Sequence, residues 1–275
     1  MSASSLLPPA VRAFNARADQ FDGRYGTWLS VAAQRRAVQR LLLDAFAPGS
    51  RLLELGGGTG EDAVFLLERG YYVTLTDGSP RMVELAAAKI RTAGFTGRAD
   101  VQQLVLESIG EFAAAARVPY DGAWSNFAAL NCLSDPSILA RPLARLLRPG
   151  APCMLVVFGP YSAGELIVEL IRGEPRAAIR RFRRGAAPAR LGGEHFHVWY
   201  PSPGDFARAL SPYFTLRRVR GISITVPPSA AEPWISRFPR VIRAMESVDR
   251  VLSAPLAYLA DHVLLHFERT AHAAD

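Results

Sequence analysis

The sequence has few cysteines and no long apolar run. Cys132 and Cys153 are its only two cysteines in 275 residues, too few for a disulfide framework or a thiolate metal site. No apolar stretch approaches the roughly 18 residues that a membrane span needs, and the N-terminus lacks the basic and then apolar order of a signal peptide. We therefore expect a soluble, cytoplasmic protein that holds no metal.

Lysine is almost absent, since Lys89 is the only one, so arginine supplies the net charge of +7. Between Arg172 and Arg190 the chain carries seven arginines against one acid, Glu174. Such a run is typical of a solvated helix face, but it also suits an anionic substrate, a nucleic acid or a lipid surface. The pattern leaves both interpretations open.

Strand-like apolar runs alternate with helical patterns along most of the chain, which predicts a parallel, doubly wound sheet. The predicted strands span 50–56, 71–77, 100–104, 120–127, 151–160, 214–226 and 262–269, and the predicted helices 33–46, 61–70, 79–94, 202–214 and 237–252. The last two strands predict an antiparallel hairpin at the sheet edge. In the last helix an apolar stripe at 3.6-residue spacing predicts core packing; it contains Phe238, Val241, Ile242, Met245, Val248 and Leu252.

A glycine-rich loop follows the first predicted strand, in "RLLELGGGTGEDA" (51–63). Glycine permits a tight turn and lets a ligand approach the backbone closely. No Gly-Lys-Ser/Thr follows, which excludes a P-loop, and the dinucleotide fingerprint survives only as Gly58, Gly60 and Ala63. Glu61 and Asp62 disfavour a diphosphate there and suit a cationic ligand such as a sulfonium that also carries an ammonium group.

Four segments in order carry a family resemblance. "ELGGGTG" (54–60) resembles the first motif of class I S-adenosylmethionine-dependent methyltransferases, and "VTLTDGSPRM" (73–82) resembles their second, with Asp77 lying 21 residues after Gly56. "YDGAWSNFAALNCL" (120–133) and "LLRPGAPCMLVVFG" (146–159) resemble the fourth-strand motif and the strand after it. The chain is identified by these motifs as similar to the small-molecule members of that family.

The resemblance implies a Rossmann-like, doubly wound, mostly parallel seven-stranded sheet with an antiparallel edge strand and helical lid insertions. It divides one domain into an N-terminal helical cap (1–50), a cofactor-binding core (51–160) and a lid with the C-terminal part of the sheet (161–275).

The resemblance also assigns S-adenosylmethionine as the cofactor and implies its binding residues. Glu54 would lie near the methionine ammonium, the loop glycines would leave room for the ligand, and Asp77 would hold the ribose. Met82 would lie beside the adenine, although a core methionine fits equally well. The full implied set is Glu54, Gly56, Gly57, Gly58, Gly60, Asp77, Gly78, Met82, Leu106, Glu107, Asn126 and Tyr25.

The third strand departs from the family pattern, which often ends in an acid that contacts the adenine amino group. Here Val105 precedes Glu107, so adenine contact would fall to the backbone around Leu106. The N-terminal "FNARADQFDGRYGTW" (14–28) resembles the segment that covers the cofactor in small-molecule members. Its Phe21, Tyr25 or Trp28 would roof the site, and buried packing is the alternative for each.

Three residues after the arginine run are candidates for catalysis: His195, His197 and Tyr200. Alternation puts the two histidines on one side if the stretch is extended, and a neutral histidine suits a general base near neutral pH. A structural or surface role is the alternative for both. Metal binding is not expected because no third ligand is evident nearby.

The expected acceptor is a small organic molecule, such as a quinone, polyketide or lipid, methylated on oxygen or carbon. About 40 residues between the fifth strand and the next helix would enclose a molecule of that size. "SNFAAL" stands after the fourth strand instead of an Asn-Pro-Pro-Tyr-like stretch, which disfavours amino methylation. The arginine run predicts an anionic or amphiphilic acceptor, with no stable nucleic-acid partner and at most peripheral membrane contact. The alternatives are a nucleic-acid methyltransferase that uses the 172–190 run, and a non-catalytic cofactor-binding protein.

Overall fold

The structure is a computed structural model that describes residues 7–127, 129–182 and 185–272. Its helices are α1 (Pro9–Asn15), α2 (Ala18–Tyr25), α3 (Leu29–Ala45), α4 (Glu61–Leu67), α5 (Pro80–Thr92), α6 (Ile109–Ala115), α7 (Ala140–Leu146), α8 (Ala163–Ile171), α9 (Pro175–Ala178), α10 (Pro203–Leu210) and α11 (Pro239–Leu252). Its strands are β1 (Arg51–Leu55), β2 (Tyr72–Asp77), β3 (Ala99–Gln103), β4 (Gly122–Ser125), β5 (Pro152–Phe158), β6 (Ala187–Leu191), β7 (Glu194–Val198), β8 (Phe214–Ile222) and β9 (His262–Arg269).

Seven of the described strands form one twisted sheet in the order β3-β2-β1-β4-β5-β9-β8. The first five pair in parallel, and β9 runs antiparallel to both β5 and β8. The predicted doubly wound, mostly parallel sheet with antiparallel pairing at its edge is therefore confirmed. The antiparallel strand itself is β9, which lies one position inside the edge strand β8.

Helices cover both faces of the sheet because its central strands are apolar on both sides. In β1, Leu53 and Leu55 belong to one buried cluster with α7 and α10, whereas Leu52 belongs to the opposite cluster with α3 and α4. This pattern is typical of a parallel sheet buried between helical layers. The carboxyl ends of β1, β2, β4 and β5 consequently meet at one edge, where doubly wound folds bind their ligands.

Two N-terminal helices and a hairpin lie across that edge, and we call α1, α2 and the β6–β7 hairpin the cover. Arg12 of α1 forms an ion pair with Glu194 of β7 at 2.9 Å, and the rings of Phe14 and Phe196 lie 6.2 Å apart. Gly192 forms the hairpin turn at φ +58°, and a Cβ there would lie 2.8 Å from the Ala13 carbonyl oxygen. Close approach to α1 therefore requires glycine at this turn.

The apolar stripe of α11 does not pack into the core as predicted. Ile242 is buried, but Phe238, Val241 and Val248 are each more than 40% exposed. The helix packs against α3 over a narrow face, which leaves most of the stripe outside the contact. The prediction of core packing is wrong for these three residues.

Helix α8 places its acids inward and its apolar residues outward. Glu165 and Glu169 are buried, whereas Ile167, Leu170 and Ile171 are 58%, 54% and 81% exposed. Glu165 points inward, where it pairs with the buried Arg181, and Glu169 lies 3.9 Å from Arg172. A charged pair therefore decides the orientation of α8.

Candidate functional site

A cavity of about 650 Å³ opens at the carboxyl edge of the sheet, beneath the cover. Its walls contain all but two of the sequence-predicted site residues, namely Glu54, Gly56, Gly57, Gly58, Asp77, Gly78, Met82, Leu106, Glu107, Asn126, Tyr25, His195 and His197. Gly60 and Tyr200 are outside this lining. The fold therefore brings the predicted cofactor residues and both predicted histidines to one space.

The glycine loop after β1 has a conformation that side chains would obstruct. Gly56 has φ +68°, and a Cβ there would lie 2.3 Å from the Cβ of Ala129. A Cβ on Gly57 would lie 2.7 Å from the Glu54 carboxylate. Gly60, at φ +83°, precedes the first turn of α4. Bare backbone at these positions leaves the loop open toward the cavity and keeps the Glu54 carboxyl against it.

Glu54 is a buried acid without a partner for one of its oxygens. The residue is 2% exposed, and its Oε2 makes no well-directed hydrogen bond to a described residue, although the Trp124 indole lies close enough to lower the pKa of the carboxyl. Burial raises the pKa of this carboxyl well above its usual range, and the nearby Asp62 carboxylate raises it further. A cationic group bound in the cavity would lower that pKa and satisfy the free oxygen.

Asp77 ends β2 beside the glycine loop. Its carboxylate accepts hydrogen bonds from the backbone N–H of Gly58 at 2.9 Å and of Ser79 at 2.8 Å. Burial raises the pKa of Asp77, while these two N–H donors oppose that shift. The side chain is thereby fixed at the cavity wall, with lone pairs left to accept from a ligand hydroxyl.

Comparison with known proteins finds matches over part of the chain. Residues 53–153 match the profile of a family described as a methyltransferase domain. The tRNA 5-carboxymethoxyuridine methyltransferase of Escherichia coli is 28% identical over 166 residues, which cover 59% of this chain and 61% of that protein. The malonyl-[acyl-carrier protein] O-methyltransferase of Serratia marcescens is 31% identical over 54% of each chain. The chain thus spans a little over half of the length of these relatives.

A solved structure of an S-adenosylmethionine-dependent methyltransferase from Listeria monocytogenes aligns with a TM-score of 0.59. It is 16% identical and the alignment covers 87% of this chain and 98% of that one, so it supports the fold. Residues 53–153 are therefore similar to a methyltransferase domain, and the chain as a whole has the fold of this solved S-adenosylmethionine-dependent methyltransferase.

The residues at this site fit S-adenosylmethionine. S-adenosylmethionine carries an ammonium and a sulfonium, and Glu54 offers a buried, unpartnered carboxyl oxygen beside an open backbone loop. Asp77 stands at the end of the neighbouring strand, 21 residues after Gly56, where a carboxylate can accept from ribose hydroxyls. The individual cofactor roles of these residues stay predictions.

The acids of the glycine loop do not face the ligand as free charges, which corrects one argument from the sequence. Asp62 is buried and accepts from Arg35 at 2.8 Å, from Gln39 at 3.0 Å and from Asn126 at 2.8 Å. These donors already satisfy its oxygens, so the cationic preference of the site rests on Glu54. Asn126 lines the cavity while it holds Asp62.

Glu61 is likewise neutralised, by Lys89. The Lys89 ammonium contacts Glu61 and also Asp22 of α2, the latter at 2.7 Å. Asp22 in turn accepts from the Thr59 hydroxyl at 2.5 Å. Lys89 therefore ties the cover to the helix that follows the glycine loop.

The predicted aromatic roof is present in part. Phe21 and Tyr25 line the cavity and their rings lie 4.7 Å apart. Trp28 packs edge-on to Tyr25 at 5.1 Å but lies outside the cavity lining.

The candidate catalytic residues from the sequence have different positions. His195 and His197 share one side of β7, are exposed, and reach the cavity lining. Tyr200 lies outside that lining, next to Arg181 and Phe158, and burial raises its pKa. Tyr200 is therefore placed to pack against Arg181.

Sequence reasoning missed His262, which lines the cavity from the amino end of β9. An antiparallel strand in this sheet starts at the edge where the parallel strands end, so its first residue meets the ligand site. The "DH" pair at 261–262, directly before the last apolar run, is the signal that could have identified it.

The arginine run is partly internal, contrary to expectation. Arg181 is buried and pairs with Glu165 and with Asp261, and Arg180 donates to Glu165 at 2.6 Å. Arg181 therefore does not belong to the solvated helix face that such a run is typical of. Arg183 and Arg184 lie outside the described residues.

Proposed function

We propose that this chain transfers the methyl group of S-adenosylmethionine to a small organic acceptor bound in the cavity. The observation that carries the proposal is the unpartnered Glu54 carboxyl under the open glycine loop, with Asp77 at the next strand end. Methyl transfer is an in-line displacement from a sulfonium, so positioning of the two reactants and exclusion of water supply much of the catalysis.

Each cofactor role follows from the position of a residue in the cavity. Glu54 would bind the methionine ammonium together with the loop backbone. Asp77 would accept from the ribose hydroxyls. Met82 is buried at the start of α5 and, with the backbone at Leu106 on the opposite side, would enclose the adenine.

The position of the cover over the cavity is an argument for a small acceptor. The α1 helix and the hairpin contribute Val11, Phe14 and Phe196 to the cavity walls, and the Arg12–Glu194 ion pair joins them above it. A macromolecular acceptor would have to displace this contact. A small apolar molecule would instead be held between the cover and the cofactor, away from water.

A polymer acceptor is the second candidate because one relative is named for a tRNA substrate. The exposed arginines at 172 and 176 would then supply phosphate contacts, and binding would weaken steeply with salt. A third hypothesis is that the chain binds the cofactor without catalysing methyl transfer, since a fold does not determine a function.

An amphiphilic acceptor is supported by the outward face of α8. Leu170 and Ile171 are more than half exposed, and Arg172 and Arg176 adjoin them. Apolar residues beside cations favour peripheral contact with anionic lipid. Sedimentation with phosphatidylglycerol vesicles, compared with neutral vesicles and with the variant Leu170→Ser/Ile171→Ser, tests this part. Equal binding by the variant would contradict it.

The experiment on the cofactor is calorimetry with S-adenosylmethionine, S-adenosylhomocysteine and NAD. We expect both adenosyl ligands to bind in the micromolar range, about 6–9 kcal/mol, and NAD not to bind. Because burial raises the pKa of Glu54 in the free protein and a bound ammonium would lower it, binding should release a proton at a pH between the free and the bound pKa values. Titrations in buffers of different ionisation enthalpy measure that proton. Glu54→Gln should abolish the release, and a release that persists in the variant would contradict the role of Glu54.

The experiment on the acceptor measures S-adenosylhomocysteine formation with three sets of probes: phenols and quinols, an acyl thioester carboxylate, and bulk tRNA. Turnover of the first set supports the proposal. Turnover of tRNA alone would contradict the proposal and favour a polymer acceptor. Salt-dependent binding of tRNA with the cover in place would favour a polymer acceptor as well.

A further inference from the structure

His262 is a buried histidine on the cavity wall. It is 4% exposed, whereas His195 and His197 are exposed on the cover. Among the histidines of the described ranges, His262 alone combines burial with a place in the cavity lining.

Two aromatic rings fix the plane of the His262 imidazole. Phe158, at the end of β5, stacks on it with ring centroids 4.4 Å apart and planes 31° apart. Phe127 meets it edge-on at 5.7 Å from a left-handed backbone conformation, φ +51°. A ring held on two sides has little freedom to rotate. A reacting group needs such a fixed orientation.

A buried carboxylate lies behind the ring. His262 Nδ1 is 3.2 Å from Asp261 Oδ2, a distance in ion-pair range, and makes no well-directed hydrogen bond to any described residue. Since Nδ1 is shielded beside Asp261, the opposite nitrogen, Nε2, is the one left for the cavity. An adjacent carboxylate stabilises the imidazolium that forms when the ring accepts a proton.

Asp261 is held in place by a charged network. Arg181 contacts its carboxylate at 2.5 Å and donates to its backbone carbonyl at 2.7 Å, and Gln34 donates to the other oxygen at 3.3 Å. Arg181 also pairs with the buried Glu165. Glu165 is also paired with Arg180 at 2.6 Å, so Arg181 is shared between a paired acid and Asp261, whose carboxylate is the acid next to His262.

The other charged group near the ring is already compensated. Arg35 stacks on Phe127 at 4.9 Å and is paired with Asp62 at 2.8 Å. The field at His262 is therefore set by Asp261 and Arg181. Burial of charged side chains costs folding free energy unless every charge is paired. Here the connected charges, Glu165, Arg181 and Asp261, lead to His262 at the cavity wall.

We propose that His262 is the general base of the methyl transfer and that Asp261 positions it. This inference rests on the proposed function. His262 would take the proton of the acceptor while an oxygen lone pair, or the electron pair left by an acidic C–H bond, forms the new bond to the methyl carbon. The electron pair of the bond between that carbon and sulfur would remain on sulfur, which loses its positive charge. The acceptor proton passes to His262 Nε2 and then to water. The acceptor group is therefore one that is protonated at neutral pH, a hydroxyl or an acidic carbon, since a carboxylate would need no base.

The test begins with a measurement that needs no acceptor. NMR of the two ring nitrogens in the wild-type protein should show which of them carries the proton, and we expect the proton on Nδ1, beside Asp261, with Nε2 left as the acceptor at the cavity. In Asp261→Asn this preference for one tautomer should be lost. A proton held on Nε2 in the wild-type protein would overturn the proposal.

The kinetic arm uses substituted phenols of graded acidity as acceptors. We expect His262→Asn and His262→Gln to bind S-adenosylmethionine within about twofold of the wild type and to lose 10²- to 10⁴-fold in kcat. The loss should shrink for nitrophenols that are already ionised. His266→Asn, on the same strand but outside the cavity, is the matched control. Asp261→Asn should shift the pH–rate profile, and Asp261→Glu should restore part of the rate.

The outcomes separate this inference from the proposed function. If the wild type fails to bind S-adenosylmethionine, the proposed function fails first. If it binds and the carboxylate probe is the acceptor with an equal rate in His262→Asn, the role of His262 is overturned while methyl transfer stands.

Discussion

Replacement of Arg181 by methionine should destabilise the protein strongly. Methionine is close to arginine in length and leaves the apolar contacts near Phe158, but it removes the cation between two buried acids. The side chains of Arg181 and Glu165 are each 4% exposed, and that of Asp261 is 5% exposed. Removing one partner leaves uncompensated buried charge, which costs about 3–5 kcal/mol. That is a large part of the 5–15 kcal/mol that stabilises a typical domain.

The matched control is Arg217→Met. Arg217 pairs with Glu268 at 2.8 Å, but the two side chains are 51% and 41% exposed. An exposed pair of this kind contributes about 0–1 kcal/mol. Comparing the same substitution at a buried and at an exposed ion pair thus isolates the effect of burial on the free energy of unfolding.

The assay is urea unfolding followed by circular dichroism, at neutral pH and again near pH 5. The pKa of Asp261 is lowered in the native protein, so its contribution is present above the unfolded value, about 3.9, and is lost only as pH falls through the lower native value. The wild type therefore keeps this contribution at pH 5. In Arg181→Met, Asp261 loses its cation whereas Glu165 keeps Arg180 at 2.6 Å, so the pKa of Asp261 rises and its protonation relieves part of the penalty as the pH falls.

Two results would refute this reasoning. One is a decrease in the free energy of unfolding of Arg181→Met that is below about 1 kcal/mol and equal to the decrease for Arg217→Met. The other is a penalty that grows toward pH 5, which would mean that the acids are not the source of the destabilisation.

Three further predictions concern the loop, the ribose acid and a buried thiol. Asp77→Ala should weaken S-adenosylmethionine binding by about 2–4 kcal/mol, through loss of charge-assisted hydrogen bonds, and an unchanged dissociation constant in calorimetry would contradict its role. Gly56→Ala should abolish that binding, because its Cβ would meet Ala129 at 2.3 Å. Gly94→Ala, at φ +80° in open space, should bind normally and lose only about 1–2 kcal/mol of stability. Burial raises the pKa of the Cys153 thiol to about 12, so iodoacetamide at pH 8 should label it only after unfolding. Rapid labelling of the native protein would be inconsistent with this burial.

The cofactor half of the site was largely predictable because it depends on local sequence. The loop glycines and Asp77 lie at the ends of adjacent strands, and spacing along the chain fixes where such ends meet. The last strand was predicted over the residues that form β9, since its apolar run is continuous.

The other half depends on contacts between distant segments. The insertion of β9 between β5 and β8 brings His262 to the cavity, and no local pattern encodes that order. The orientation of α8 was equally hidden, because hydrophobicity predicts that Ile171 faces inward, whereas the buried partner of the helix is Arg181. Long-range charge pairing overrode periodicity at that helix.

Lys89 gives the molecule a single ε-amino group that can be acylated, which an arginine would not provide. Its side chain is one quarter exposed, and it is the only lysine in the sequence, so an amine-reactive reagent meets a single ε-amino group. Acylation there would remove the charge that joins Asp22 to Glu61. One added mass at one residue would therefore report whether α2 is seated on the glycine loop, and adding S-adenosylmethionine would slow the reaction to the extent that the cofactor holds α2 in place.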